Sequence, residues 1–128
     1  MLAAKSDRAD RDVDDENRTT AVGLAHYAYE YLEAAILVDK TFGHRNHIQL
    51  ASTIPAYFLV LHSIELSMKA YLRHHGVTVR ALRSRQYGHD IRACCRKAKE
   101  LGLKVHFKMC ADDMRALGVG CKPLLGQR

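Results

Sequence analysis

Between Thr53 and Gly76 the chain runs 22 residues without a glycine, and its single proline, Pro55, falls at the start of the run. Ser52 or Thr53 can cap a helix there, proline suits a first turn in which no amide hydrogen is needed, and His74 and His75 precede a stopping Gly76. At 100° per residue, Tyr57, Val60, Leu61, Ile64, Met68, Tyr71 and Leu72 share one broad arc, and Leu59, Leu66 and Ala70 share another. A helix apolar over so much of its circumference must be central. Its one polar stripe is His62, Glu65, Lys69 and Arg73, which covers about a quarter of the circumference. Glu65 lies four residues before Lys69, the favourable order for an ion pair along a helix.

A second long segment comes before it. Leu24, Ala28, Tyr31, Ala35 and Val38 recur every three or four residues, and Ala21, Tyr27, Leu32 and Ala34 widen the arc. This predicts a helix from about Asn17 to Thr41, whose roughly 22 ordered residues would reach about 33 Å, ended by Gly43, with the preceding carboxylates near the positive end of its dipole. A third helix opens where Asp90 or His89 can receive free amides and stops at Gly102. It buries Ile91, Cys94, Cys95, Ala98 and Leu101 and offers Arg92, Arg96 and Lys99 to solvent. A shorter fourth, from about His106 to Leu117, turns Phe107, Cys110, Ala111, Met114 and Leu117 inward. Residues 1–16 lack an apolar period and read as a flexible acidic lead-in. Residues 77–88 read as a basic loop, and residues 119–128 as an irregular tail. The expected fold is all-α: an antiparallel four-helix bundle built on a long helical hairpin over residues 17–118.

A chain of 128 residues can bury a sizeable core without a metal or disulfide to hold it. No window approaches the roughly 18 apolar residues of a membrane span, and the N-terminus is acidic, so a cytoplasmic protein without membrane insertion is expected. The four cysteines form no Cys-x-x-Cys pair and read as reduced and mostly buried. The eight histidines form no recognised ligand set with carboxylates, and neither metal nor cofactor is expected. Charge divides sharply along the chain. Residues 1–19 carry six acids against four bases, a net −2, while Lys69 to Lys108 carry eleven bases against Asp90 and Glu100, a net +9. Such a field attracts phosphates or acidic protein surfaces in a salt-dependent way, or is simply a solvated basic face.

The run Tyr57 to Leu72 contains His62-x-x-Glu65-x-x-x-Lys69-Ala70; Gly76 follows, and then Tyr87-Gly88-His89-Asp90-Ile91. Together these resemble the HEPN domain (higher eukaryotes and prokaryotes nucleotide-binding) over about residues 20–104. The resemblance implies an all-α bundle, usually a homodimer, in a family with many metal-independent ribonucleases and RNA-binding modules. These serve in toxin-antitoxin, phage-defence or stress systems, and other members are inactive partners of nucleotidyltransferases. Catalytic members carry an arginine, four to six intervening residues and a histidine. Arg83 has five residues between it and His89, whereas Arg85 has three. Ser84 stands where active members often have Asn, Asp or His.

Metal-free RNA cleavage needs a base for the ribose 2′-hydroxyl proton, and imidazole titrates near neutral pH. The resemblance assigns that role to His89. A guanidinium that pairs two phosphate oxygens can stabilise the developing charge, the role of Arg83. Arg85, Asp90, Arg92, Arg96 and Lys99 complete the candidate binding surface, with two copies facing across a dimer cleft. The plainer account leaves His89 capping a helix and the arginines in water, in an adaptor that binds RNA or a protein partner such as an antitoxin or nucleotidyltransferase. The stripe of His62, Glu65 and Lys69 lines the cleft or orients His89 if matched to the family, or else forms a polar network that fixes how the helices meet. Tyr27, Tyr31, Tyr57 and Tyr71 have the spacing of core and dimer-seam residues before that of base-stacking ones.

Overall fold

A computed structural model of the chain describes residues 2–42 and 54–106, with side chains from 7 to 42 and from 54 to 104. It is all-α, with no strand among these residues. Six helices follow in order: α1 Leu2–Arg18, α2 Ala21–Phe42, α3 Ile54–His74, α4 Val79–Arg83, α5 Ile91–Glu100 and α6 Leu103–His106.

The two long rods pair as the amphipathic pattern requires. Ser63 Oγ donates to the Ala28 carbonyl at 2.6 Å, the Tyr31 ring meets the His62 ring edge-on at 4.4 Å, and Arg73 Nε donates to the Thr19 carbonyl at 3.0 Å. Partner numbers rise in α2 as they fall in α3, so the helices are antiparallel. Their seam is made of small residues. Ala28, Ala35, Ala56, Ser63 and Ala70 are buried at seven-residue intervals on each rod, and the same register sets Ala21 opposite Ala70. Small side chains let the helix backbones approach closely, which is how a serine hydroxyl reaches a carbonyl of the neighbouring helix. The apolar arcs conceal this seam, because alanine and serine contribute little to a hydrophobic pattern.

α3 ends as expected. Gly76 adopts φ 87°, its N–H donates to the Arg73 carbonyl at 3.1 Å, and the Val77 N–H donates to the Leu72 carbonyl at 3.0 Å. That bond pair satisfies the last orphan carbonyls and needs a residue free of Cβ strain. The core lies beyond this end of the hairpin, where Leu72, Leu82, Tyr87, Cys94 and Ala98 cluster and Leu24, Met68 and Leu101 pack around them. The apolar face read for the third helix is correct at Cys94, Cys95 and Ala98, each at most 3% exposed. Cys94 and Cys95 are free thiols, and burial pushes Cys94 up to about 11 and raises Cys95 as well. At the opposite end of the hairpin Leu37, Ile54, Tyr57 and Phe58 are 60% exposed or more.

Several expectations need correction. From Leu2 the expected flexible lead-in over residues 1–16 is instead helical. α1 has no apolar period, but Asp14 pairs with Arg18 at 3.4 Å and Arg11 Nε donates to the Asp7 carbonyl at 2.9 Å, and such contacts four residues apart support a polar helix. The first long rod starts at Ala21, not Asn17, because Thr20 Oγ1 caps it by accepting the Gly23 N–H at 3.0 Å. The basic loop contains α4, opened by Thr78, which accepts the Ala81 N–H at 3.2 Å, and anchored by buried Val79 and Leu82. Tyr27 and Tyr57 are 58% and 60% exposed, not core. The caps expected at Gly43, Ser52 and Thr53, the cysteines Cys110 and Cys121, and the expected fourth helix apart from His106 lie outside the described residues.

Candidate functional site

Glu65 is the hub of the polar stripe. It points from the middle of α3 with its side chain only 8% exposed and receives Lys69 Nζ at 2.6 Å on Oε1. Lys69 Nζ also donates to the Gly88 carbonyl, which pins the turn between α4 and α5 onto α3. That turn is tight. The Gly88 N–H donates to the Ser84 carbonyl at 2.8 Å, and a Cβ at Gly88 would lie 3.1 Å from the same oxygen. The pinned turn delivers His89, whose Nδ1 lies 3.3 Å from Glu65 Oε1. His62 Nδ1 approaches Oε2 of the same carboxylate at 3.9 Å. Through Glu65 and Lys69 the stripe thus contacts both the Gly88 turn and His89.

The electrostatics follow from this geometry. Burial pushes the Glu65 carboxyl up, but the hydrogen bond and charge of Lys69, followed by those of His89, outweigh it and hold the group below its ordinary value of 4.5. An ionised carboxylate only accepts, so the ring nitrogen facing it, Nδ1, carries the proton. Nε2 of a neutral ring is then the basic atom. The His89 side chain is 91% exposed, so that atom is open to solvent.

Asp90, counted among the binding residues, directs its carboxylate to capping α5, where Oδ1 accepts the Ala93 N–H at 2.9 Å. Asp90→Ala is expected to lower stability by about 1 kcal/mol, measured as the shift in urea midpoint. Arg85, Arg92 and Arg96 are exposed and make no ion pair among the described residues. Lys99 is half-buried beside Cys95, whose thiol it pulls down against the larger effect of burial.

Arg83 is engaged by a carboxylate of α1. Its guanidinium pairs with Asp15 of α1, so the guanidinium and imidazole of the expected pair answer to different carboxylates. Lys69 links the two groups indirectly, since it touches the His89 turn and also lines an open cleft of about 500 Å³ with Arg83, Arg18, Asp15, Tyr27 and Leu66. Asp15 and Arg18 were not foreseen as parts of the site. No local signal marks them, because 68 residues separate Asp15 from Arg83.

Compared with known proteins, the chain matches no family model, no curated protein and no solved structure.

Proposed function

We propose that this chain is a HEPN-like RNA-directed module in which His89 acts as the general base of metal-independent RNA cleavage and Arg83 holds the phosphate. The observation that carries the reading is the contact of buried Glu65 with His89 Nδ1. It fixes the tautomer and leaves Nε2 facing solvent, where a ribose 2′-hydroxyl can approach. Arg83 and Lys69 line a cleft, and exposed Arg85 in the turn before α5 and Arg92 and Arg96 on α5 add to the positive field. The substrate is RNA because this chemistry uses the 2′-hydroxyl as nucleophile. Its oxygen attacks the adjacent phosphorus, its proton passes to Nε2, and the P–O5′ bond breaks as the 5′-oxygen takes a proton from solvent, giving a 2′,3′-cyclic phosphate and a 5′-hydroxyl.

The working unit in this reading is a homodimer in the cytoplasm, part of a toxin or defence system. The apolar row at the hairpin's far end, with Leu37, Tyr57 and Phe58 in water, supports an interface between copies. No described helix is long and apolar enough to cross a membrane. The test is incubation of pure protein with a labelled RNA in chelator. Cleavage is expected to fall at least about a hundredfold in His89→Ala, in the range typical for loss of a general base. Equal cleavage by wild type and variant rules out His89 as the base.

A second reading has a specific observation behind it. Arg83 pairs with Asp15, as befits a non-catalytic adaptor that binds RNA or a protein partner, such as an antitoxin or nucleotidyltransferase, through its basic face. Salt-dependent RNA binding without cleavage by the wild type would select it.

A further inference from the structure

α1 is attached to the rest of the chain in an unusual way. None of its described side chains is buried, and Val13, its one large apolar residue among them, is 61% exposed. What holds the helix is charge. Arg73, on α3, donates to the Glu16 carbonyl at 2.8 Å and the Thr19 carbonyl at 3.0 Å and pairs with the Glu16 carboxylate at 3.0 Å. The Arg80 N–H reaches Glu16 Oε1 at 3.4 Å, and Asp15 closes on Arg83. The two attachments differ in character. The Arg73 contacts are largely sheltered, with side chains 21% and 31% exposed, and they fasten only the C-terminal end of α1. The Arg83–Asp15 contact is open, with side chains 61% and 42% exposed respectively. Between α1 and α4 lies an open groove lined by Arg8, Asp12, Asp15, Arg80, Arg83 and Ser84.

We infer that α1 is a detachable acidic strap: Asp15 occupies the anion-binding face of Arg83, and a single-stranded phosphodiester chain competes with it for that guanidinium. A carboxylate and a phosphate offer arginine the same paired oxygens, so the Asp15 carboxylate stands where a backbone phosphate would bind. An exposed ion pair is weak and readily screened, so the strap lifts at small cost. None of the described side chains of α1 is buried, so lifting it gives up little packing of its own. Arg73 keeps the strap tethered at Glu16 and Thr19 while Asp15 and Asp12 swing away. The inference rests on the basic-face reading above, and it reconciles the Arg83–Asp15 pair with a role for Arg83 in holding phosphate.

The experiment measures binding of a fluorescein-labelled oligouridylate to the full chain at low salt. Asp15→Asn is expected to bind ~3- to 5-fold tighter than wild type, the scale set by an exposed ion pair. Asp10→Asn removes the same charge from a part of α1 that lines neither cleft, and it serves as the control. The gain from Asp15→Asn is expected to vanish when Arg83→Ala is already present, since the competition has lost its object. Hydrogen exchange of the amides at 10–16 is expected to quicken when oligouridylate is added to the wild type. A gain no larger than that of Asp10→Asn, or one that persists in the Arg83→Ala background, overturns the strap while leaving the basic-face reading intact. No oligouridylate binding by any variant overturns both.

Discussion

Glu65→Ala is expected to destabilise the domain by about 3 kcal/mol, seen as a fall in thermal midpoint of about 15 °C. The reason is what it leaves behind. Lys69, with its side chain 13% exposed, loses its anion at 2.6 Å yet stays confined under the Gly88 turn, and an unpaired cation in such a place costs more than the pair contributes. Glu65→Leu combined with Lys69→Met removes both charges and keeps the volume, so it is expected to recover at least half of the loss. No recovery in the double variant would mean that Glu65 matters through packing and not through charge. The pH dependence has a definite sign. The folded-state carboxyl lies below its ordinary 4.5, so its contribution is complete above that value and drains away as pH falls through the lower, folded-state value. The wild type is therefore expected to lose stability on acidification below about pH 4.5 more steeply than Glu65→Gln, in urea titrations across that range.

Ala28→Leu carries the other large expected effect, a loss of about 3 kcal/mol in urea denaturation. Ala28 is 3% exposed and its carbonyl accepts the Ser63 hydroxyl, so a leucine there must push the two long helices apart. Every small residue along the seam then loses its close contact. Leu37→Ala tests the contrast. That leucine is 66% exposed, and its truncation is expected to change monomer stability by less than about 0.5 kcal/mol despite removing more apolar surface. Comparable losses in the two variants would mean that close packing of α2 on α3 is not what sets the hairpin's stability.

The contrast between those residues shows what was legible in the chain and what was not. Elements with a strong apolar period and a clear stop, α3 up to Gly76 and α5 from Asp90 to Gly102, stand out because local chemistry and burial point the same way. Much of the candidate site was legible for the same reason. His62, Glu65 and Lys69 share one face of one helix, and His89 opens the next long one, so their meeting required only that the turn fold back. α1 was hidden because it is held by carboxylates and guanidiniums distant in sequence, and such helices leave no hydrophobic period. α4 was hidden because five residues are too few for periodicity to separate a helical turn from a loop. The pairing of Arg83 with Asp15 could not be foreseen either. Sequence separation says nothing about which of six carboxylates near the start of the chain an arginine will find.

The seven-residue spacing of the seam has a consequence for how the rods find each other. Sliding α3 along α2 by one interval, about 10 Å, sets Ala28 opposite Ala70 and Ala35 opposite Ser63, so small still meets small. Steric fit alone thus tolerates more than one alignment, as two combs of equal pitch do. The tie is broken by directional bonds: the Ser63 hydroxyl must reach the Ala28 carbonyl, and Arg73 must reach Thr19 and Glu16. These polar groups serve as indexing pins, and a chain stripped of them would keep its helices while losing track of which turn faces which.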